Sequence, residues 1–133
     1  MKKLEHIGIA VKSLEESNKL FAKLLGKAHY KIEEVASEGV RTSFFEIGGV
    51  KIELLEATLP DSPIAKFIDK RGEGVHHLAF EVSNIEESIT EYSNKGFTLL
   101  SQQPKPGADN KRVVFMHPKS TNGVLTELCQ GLK

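Results

Sequence analysis

The sequence predicts an α+β fold in which two tandem βαβββ units form a curved, cleft-enclosing mixed sheet. Three observations predict it: an internal repeat, an alternation of apolar residues at the start of each copy, and a capped helix directly after that alternation. The chain has 133 residues, 39% of them hydrophobic and 27% charged, which is typical of one globular domain. We expect a single domain built of repeat 1 (1–58), a linking helix (59–72) and repeat 2 (73–133).

The internal repeat consists of three blocks that recur in the same order. The stretch "HIGIAVKSLEES" (6–17) matches "HLAFEVSNIEES" (77–88), and "RTSFF" (41–45) matches "RVVFM" (112–116), both at an offset of 71 residues. The stretch "GVKIELLEA" (49–57) matches "GVLTELCQG" (123–131) at an offset of 74, which places three extra residues in the second copy, most simply within "HPKSTN". Three ordered blocks with a nearly constant offset indicate a duplication.

Each copy begins with a strand followed by a helix. In the first copy Ile7, Ile9 and Val11 alternate with small or polar residues, which is the period of a half-buried strand. The helix that follows starts at Ser13 in the first copy and at Asn84 in the second, and each has a glutamate three residues later, as in a capping box.

Three further strands are expected in each copy. The helices should stop at Gly26 and Gly96. The pairs Gly48-Gly49 and Asn122-Gly123 are typical of hairpin turns. The predicted strands are 28–35, 41–47 and 50–56 in the first copy, and 97–101, 112–117 and 124–129 in the second. Between the copies, "DSPIAKFIDKRG" predicts a short helix capped by Asp61 or Ser62.

Charge and cysteine content argue against several classes of protein. Lys and Arg number 18 and Asp and Glu number 18, so neither nucleic acid nor a membrane is an expected partner. No apolar run approaches the ~20 residues of a membrane span, and no signal-peptide pattern precedes the first strand. The single cysteine, Cys129, rules out an internal disulfide framework. We therefore expect a cytoplasmic protein.

Two adjacent histidines in "GEGVHHLAFEV" (72–82) point to opposite faces of a strand. The apolar face contains Leu78 and Phe80, so His77 lies on the other face, and His76 points to the packed side or lies at the frayed beginning of the strand. His6 occupies the place of His77 in the first copy. The sequence therefore predicts that His77 contributes to a site and that His76 does not.

Glu53 and Glu127 occupy matching places in the last strand of each copy, between less polar neighbours. A carboxylate in such a run is costly to bury unless it is solvated, paired or bound to a metal. Two histidines and two glutamates offer nitrogen and oxygen donors that suit Co²⁺, Ni²⁺, Zn²⁺ or Mn²⁺. On spacing alone, satisfied strand histidines and solvated glutamates remain the alternative.

The chain resembles the vicinal oxygen chelate (glyoxalase-like) superfamily and, within it, the methylmalonyl-CoA epimerase family. The stretches that carry the resemblance are "HIGIAV", "EGVR", "IELLE", "DSPIAKFIDKRGEGVHHLAFEV" and "HPKSTNGVLTEL", of which the last two are the more specific. The resemblance implies a divalent metal ion, most of all Co²⁺, bound by His6, Glu53, His77 and Glu127. It further implies that Glu127 is a catalytic base and that the active protein is a homodimer.

The implied reaction is the epimerisation of (R)- and (S)-methylmalonyl-CoA, by proton abstraction and return at C2 through a metal-stabilised enolate. The expected partner is thus an acyl-CoA substrate. Two alternatives share the superfamily's fold: a glyoxalase-type isomerase or lyase acting on a thiol adduct, and a non-catalytic module that binds a small molecule.

Inversion at C2 requires a second acid/base group on the opposite face of the substrate. Some family members have a glutamate just after "GVR", where this chain has Thr42, and Glu46 further along the same strand face is a weak substitute. A basic loop either contacts coenzyme A phosphates or the substrate carboxylate, or is merely solvated; its cations are Lys105, Lys111, Arg112 and Lys119. Ser120 and Thr121 are further candidates for the substrate carboxylate.

Overall fold

A computed structural model describes residues 1–131 of the chain. Within these residues the elements are β1 (Lys3–Ala10), α1 (Leu14–Leu25), β2 (Lys31–Val35), β3 (Val40–Ile47), β4 (Val50–Ala57), α2 (Pro63–Arg71), β5 (Gly74–Glu81), α3 (Ile85–Asn94), β6 (Lys105–Gly107), β7 (Lys111–Met116) and β8 (Thr126–Gly131). This order is a βαβββ pattern that occurs twice with a helix between the copies, which confirms the α+β class.

The chain divides into two compact units. The first unit is His6–His76, and the second combines Met1–Glu5 with the described residues from His77 onward. Among the helices of residues 1–131, none is both long and apolar enough to cross a membrane.

In the first unit the strands are ordered β2-β3-β4-β1, with β1 parallel to β4 and the other neighbours antiparallel. The predicted turn between β3 and β4 is present: Gly48 and Gly49 have φ values of 59° and 84°. A tight hairpin turn with two such residues matches the twist of the flanking strands, and glycine adopts this backbone without steric cost.

Two apolar clusters cover the opposite faces of this sheet. Val11, Leu14, Phe45 and Leu54 form the cluster beneath α1, while Ala10, Val40, Leu55 and Ile64 form the cluster beneath α2. The predicted start of α1 is confirmed, because the Ser13 hydroxyl accepts a hydrogen bond from the Glu16 amide at 3.2 Å. The helix α2 is capped by Ser62 rather than Asp61, through a 3.1 Å hydrogen bond from the Ala65 amide.

In the second unit the strands are ordered β5-β8-β7-β6, with β5 parallel to β8 and the other neighbours antiparallel. The Asn84 side chain caps α3 by accepting from the Glu87 amide at 3.0 Å. The cluster beneath α3 consists of Val82, Ile85, Ile89, Leu99, Val114, Met116 and Leu128.

The first residues of the chain belong to this second unit as well. The Lys2 amide donates a 2.7 Å hydrogen bond to the carbonyl oxygen of Glu81. The ammonium group of Lys111 lies 3.9 Å from a carboxylate oxygen of Glu5, which is a buried residue. The Glu5 charge is thereby balanced inside the unit.

The predicted strand at 97–101 is wrong. Leu99 forms an isolated bridge to Met116, and the strand that pairs with β7 is β6, several residues further on. The Ser101 hydroxyl forms hydrogen bonds with both the amide and the carbonyl oxygen of Gln103, each at 3.0 Å. The bridge at Leu99 consists of two backbone hydrogen bonds, in which the Leu100 amide donates to the Phe115 carbonyl and the Thr98 carbonyl accepts from the His117 amide. The turn before β7 was also not predicted: Asp109 and Asn110 both have positive φ values.

Candidate metal centre

In the first unit, His6 and Glu53 form a buried pair. The parallel register of β1 and β4 places Glu53 opposite Gly8, and His6 is two residues before Gly8 on the same face. His6 Nδ1 lies 3.2 Å from Glu53 Oε2. The residues are only 5% and 4% exposed, so neither polar group is left to bulk solvent.

The second unit repeats this construction with His77 and Glu127. The register of β5 and β8 places Glu127 opposite Ala79, two residues after His77 on the same face. His77 Nε2 lies 3.2 Å from Glu127 Oε1, and the residues are 6% and 5% exposed. The two pairs differ in the imidazole nitrogen that faces the carboxylate.

On the neighbouring parallel strand, a small residue lies opposite each glutamate. Gly8 is the register partner of Glu53, and Ala79 is that of Glu127. Because neither has a bulky side chain, each glutamate has room to lean toward the histidine two residues away. This agrees with the small residues that the sequence places beside both histidines.

The donor set of the two pairs fits a divalent metal ion. Each of the four is a buried histidine or glutamate with a donor atom suited to a metal. Neutral imidazole and ionised carboxylate together favour ions such as Co²⁺, Zn²⁺, Ni²⁺ or Mn²⁺. A strand glutamate exposed to water, which was the alternative interpretation of the sequence, is not what the structure shows for either residue.

His76 has a different environment from His77. Its ring packs edge-on against Phe67 of α2, with 5.1 Å between the ring centroids. The side chain therefore lies on a packed side of its strand, as the alternation predicted.

The surroundings of Thr42 and Glu46, the two candidates for a second base, do not suit that role. Thr42 is buried in β3 and has no proton-accepting group of suitable strength. A Glu46 carboxylate oxygen accepts a 2.7 Å hydrogen bond from the Gly49 amide, and the other lies 3.6 Å from the Lys27 ammonium group. The Gly49 amide, and to a smaller extent Lys27, hold the pKa of Glu46 below its ordinary value. Glu46 is thus a charged residue that stabilises the β3–β4 turn.

The cations of the basic loop have different partners in the structure. The Arg112 guanidinium binds both carboxylate oxygens of Glu86 and also contacts Gln130 at 3.2 Å, so it ties β7 to α3. The hydrogen bond from Arg112 lowers the pKa of Glu86. Lys105 lies over the ring of Phe115, with its ammonium group 5.9 Å from the centroid.

Ser120 and Cys129 are held by the fold. The Ser120 hydroxyl accepts a 2.8 Å hydrogen bond from the Thr98 amide. Cys129 is 0% exposed, and its burial, with the charge of Glu127 as a smaller cause, raises the pKa of the thiol. Since the thiolate is the reactive form, both the burial and the raised pKa disfavour reaction at Cys129.

Comparisons with known proteins identify the family. Residues 5–115 match the Glyoxalase/Bleomycin resistance protein/Dioxygenase superfamily. The mitochondrial methylmalonyl-CoA epimerase of Homo sapiens is 38% identical over 129 residues, a match that covers 96% of this chain and 73% of that protein. The chain belongs to the methylmalonyl-CoA epimerase family. The expected enzyme class, an isomerase that acts as an epimerase, is thereby confirmed.

Other members of the epimerase family match over nearly their whole length. The ethylmalonyl-CoA/methylmalonyl-CoA epimerase of Cereibacter sphaeroides is 37% identical over 130 residues, covering 96% of this chain and 97% of that protein. A variant of the Streptomyces coelicolor methylmalonyl-CoA epimerase, solved in complex with 2-nitronate-propionyl-CoA, has a TM-score of 0.94 and 33% identity. That match covers 98% of this chain and 95% of the other. The epimerase fold therefore extends over both units.

Proposed function

We propose that the protein epimerises methylmalonyl-CoA at C2, with one divalent metal ion, most of all Co²⁺, bound by His6, Glu53, His77 and Glu127. The observation that carries the proposal is that the same buried His/Glu pair is built twice in a chain of this family. Burying two such pairs is costly unless the groups have a partner that compensates the lost hydration. The proposal treats residues 1–133 as one functional domain: repeat 1 (1–58), the linking helix (59–72) and repeat 2 (73–133).

The ion would supply a Lewis acid for the negative charge that develops on the thioester oxygen when the C2 proton is removed. Metal binding by this set requires ionised glutamates and neutral histidines, since only these forms donate to a metal. The 3.2 Å spacing within each pair keeps the donor atoms together before a metal binds.

We assign the removal of the C2 proton to Glu127. Its carboxylate is buried beside His77, where water does not compete with the substrate for the proton. We do not assign the return of a proton on the opposite face to Thr42, which lacks a suitable base, or to Glu46, whose carboxylate accepts a hydrogen bond in the β3–β4 turn.

The proposed substrate is an acyl-CoA thioester, by analogy with the Streptomyces coelicolor relative and its bound propionyl-CoA analogue. We further propose a homodimer that functions in the cytoplasm. Among the basic-loop cations, Lys105 remains a candidate for a coenzyme A phosphate, whereas Arg112 is bound to Glu86.

The test is proton exchange at C2 in deuterated water. Co²⁺-loaded protein should incorporate deuterium into methylmalonyl-CoA, and removal of the metal with a chelator should stop the exchange until Co²⁺ is restored. Substitution Glu127→Ala should lower the rate by about 10²-fold or more, because a positioned general base contributes about 10²–10⁴-fold.

The matched control is Glu46→Gln, which removes a carboxylate of the β3–β4 turn and should leave the exchange rate unchanged. Absence of metal-dependent exchange in the unmodified protein would contradict the epimerase proposal. Turnover of a methylglyoxal–thiol adduct instead would indicate glyoxalase chemistry, and tight Co²⁺ binding without any turnover would indicate a binding module.

A further inference from the structure

A phenylalanine stands beside each glutamate of the two pairs. In the antiparallel ladder of β3 and β4, Phe44 is directly opposite Glu53, and in that of β7 and β8, Phe115 is directly opposite Glu127. Directly opposite residues share a face of the sheet and have neighbouring side chains. Phe44 and Phe115 are separated by the same offset of 71 residues as His6 and His77. Each unit therefore contains the same set of three residues, which are a histidine, a glutamate and a phenylalanine.

A lysine from the next strand covers each of these rings. The ammonium group of Lys31 in β2 lies 4.5 Å from the centroid of Phe44, and that of Lys105 in β6 lies 5.9 Å from the centroid of Phe115. Both distances are within the range of a cation–π contact. In each unit the phenylalanine thus lies on the strand between that of the lysine and that of the glutamate.

In the second unit the ring also contacts the histidine. The centroids of His77 and Phe115 are 5.7 Å apart and the rings are nearly perpendicular, at 84°. An edge-to-face contact of this kind has a preferred orientation, so it restrains rotation of the imidazole about its bond to the Cβ atom. Rotation matters here because it decides whether Nε2 faces Glu127, from which it is 3.2 Å distant.

We propose that Phe115 is a positioning residue, which holds the His77 ring with Nε2 directed toward Glu127, and that Phe44 supports Glu53 in the first unit. This inference rests on the proposed metal site. Metal-binding histidines depend on neighbouring groups to fix the ring, and loss of such a group commonly weakens metal binding about 10- to 100-fold. In this protein the group that fixes the His77 ring is the aromatic ring of Phe115.

The second unit provides a matched control on its other face. Tyr92 and Phe97 form an edge-to-face pair beneath α3, with centroids 5.9 Å apart at 77°. The pair has an edge-to-face geometry similar to that of the His77–Phe115 contact but contains none of the proposed metal ligands. Substitution Phe97→Leu therefore removes a comparable aromatic contact from the same unit without touching the proposed site.

The experiment titrates Co²⁺ into metal-free protein by calorimetry and records the visible absorption of the bound ion. Substitution Phe115→Leu, which keeps apolar volume but removes the ring, should weaken Co²⁺ binding about tenfold or more and alter the spectrum. Phe115→Tyr, which keeps the ring edge, should bind within about twofold of the unmodified protein. Phe97→Leu should leave both readouts unchanged.

Co²⁺ binding by Phe115→Leu with unmodified affinity and spectrum would overturn the inference, while the metal site itself would stand. Failure of the unmodified protein to bind Co²⁺ would overturn the metal site and the inference together. If Phe115→Leu does not fold, Phe115→Met gives the same comparison with a more adaptable side chain. An equal loss of affinity in Phe97→Leu would show that the effect is one of general packing and would also overturn the inference.

Discussion

Two histidines that are neighbours in the chain have different surroundings because a strand alternates its side chains. His76 packs against Phe67, whereas His77 lies beside both Glu127 and Phe115. The first contact is apolar and edge-on, and the second set combines a carboxylate with an aromatic ring. The two histidines have identical side chains, so the difference in their contacts comes from the face of the strand on which each one lies.

Substitutions of the two histidines should therefore have unequal effects. His77→Ala removes a proposed metal ligand and should lower Co²⁺ affinity at least tenfold and C2 exchange about 10²-fold or more, whereas His76→Ala loses only the contact with Phe67 and should retain most of both. Calorimetry and the deuterium assay measure the two quantities. Equal losses in the two variants would mean that the assignment of faces is wrong.

The sequence predicted His6, Glu53, His77 and Glu127 as one set because polar residues at repeated positions of an apolar strand are unusual. It did not predict the roles of Phe44 and Phe115. The matching blocks at 41–45 and 112–116 align the two phenylalanines, but an aromatic residue in a strand is ordinarily part of the core. Their importance becomes visible only from the register that sets each of them opposite a glutamate.

At the scale of single elements, the β3–β4 hairpin depends on two glycines with positive φ values and on the charged side chain of Glu46. Gly48 and Gly49 provide the left-handed backbone, and Glu46 accepts from the Gly49 amide while lying near Lys27. The hairpin joins β3 to β4, and Glu53 lies further along β4. The Glu46 carboxylate has to be ionised to make both contacts well.

Replacing Glu46 should change the stability of the protein in a pH-dependent manner. Its pKa is lowered in the folded state, so its contribution is present above the unfolded pKa of about 4.3 and is lost as the pH falls through the folded value. Urea unfolding should show a lower midpoint for Glu46→Gln than for the unmodified protein at pH 7, and the difference should shrink below about pH 4. A difference that grows toward acid pH would contradict this role.

The predicted elements agree with the structure where a cap or turn has a local cause. Ser13 and Asn84 start helices, and Gly48 and Gly49 close a hairpin, because each acts through bonds within a few residues. The strand expected at 97–101 was wrong, since that stretch forms only an isolated bridge between Leu99 and Met116. A local pattern of apolar residues does not reveal how far the pairing with a neighbouring strand extends.

At the scale of the whole molecule, the duplication gives each of the two units the same arrangement of residues. Each unit has a parallel strand pair that brings a histidine and a glutamate together, and an antiparallel pair that adds a phenylalanine. A unit of about 60 residues is marginal by itself because it buries a small fraction of its surface. The proposed ion would bind only the folded chain and would therefore stabilise it.

Metal removal should consequently lower the melting temperature. A ligand that binds only the folded state stabilises it by about 2.7 kcal/mol at a concentration 100 times its dissociation constant. Calorimetric melting of the protein with Co²⁺ and after chelation measures this difference. The control is Glu127→Ala, for which added Co²⁺ should raise the melting temperature far less; an equal rise in both proteins would place the ion elsewhere.

The membership of Met1–Glu5 in the second unit has a consequence for anyone who would divide this gene. A fragment that starts after the linking helix lacks the Lys2 amide that bonds to Glu81 and the Glu5 carboxylate that balances Lys111. The second unit is therefore not contained in the residues from His77 onward alone. A fragment meant to represent it would have to include Met1–Glu5 as well.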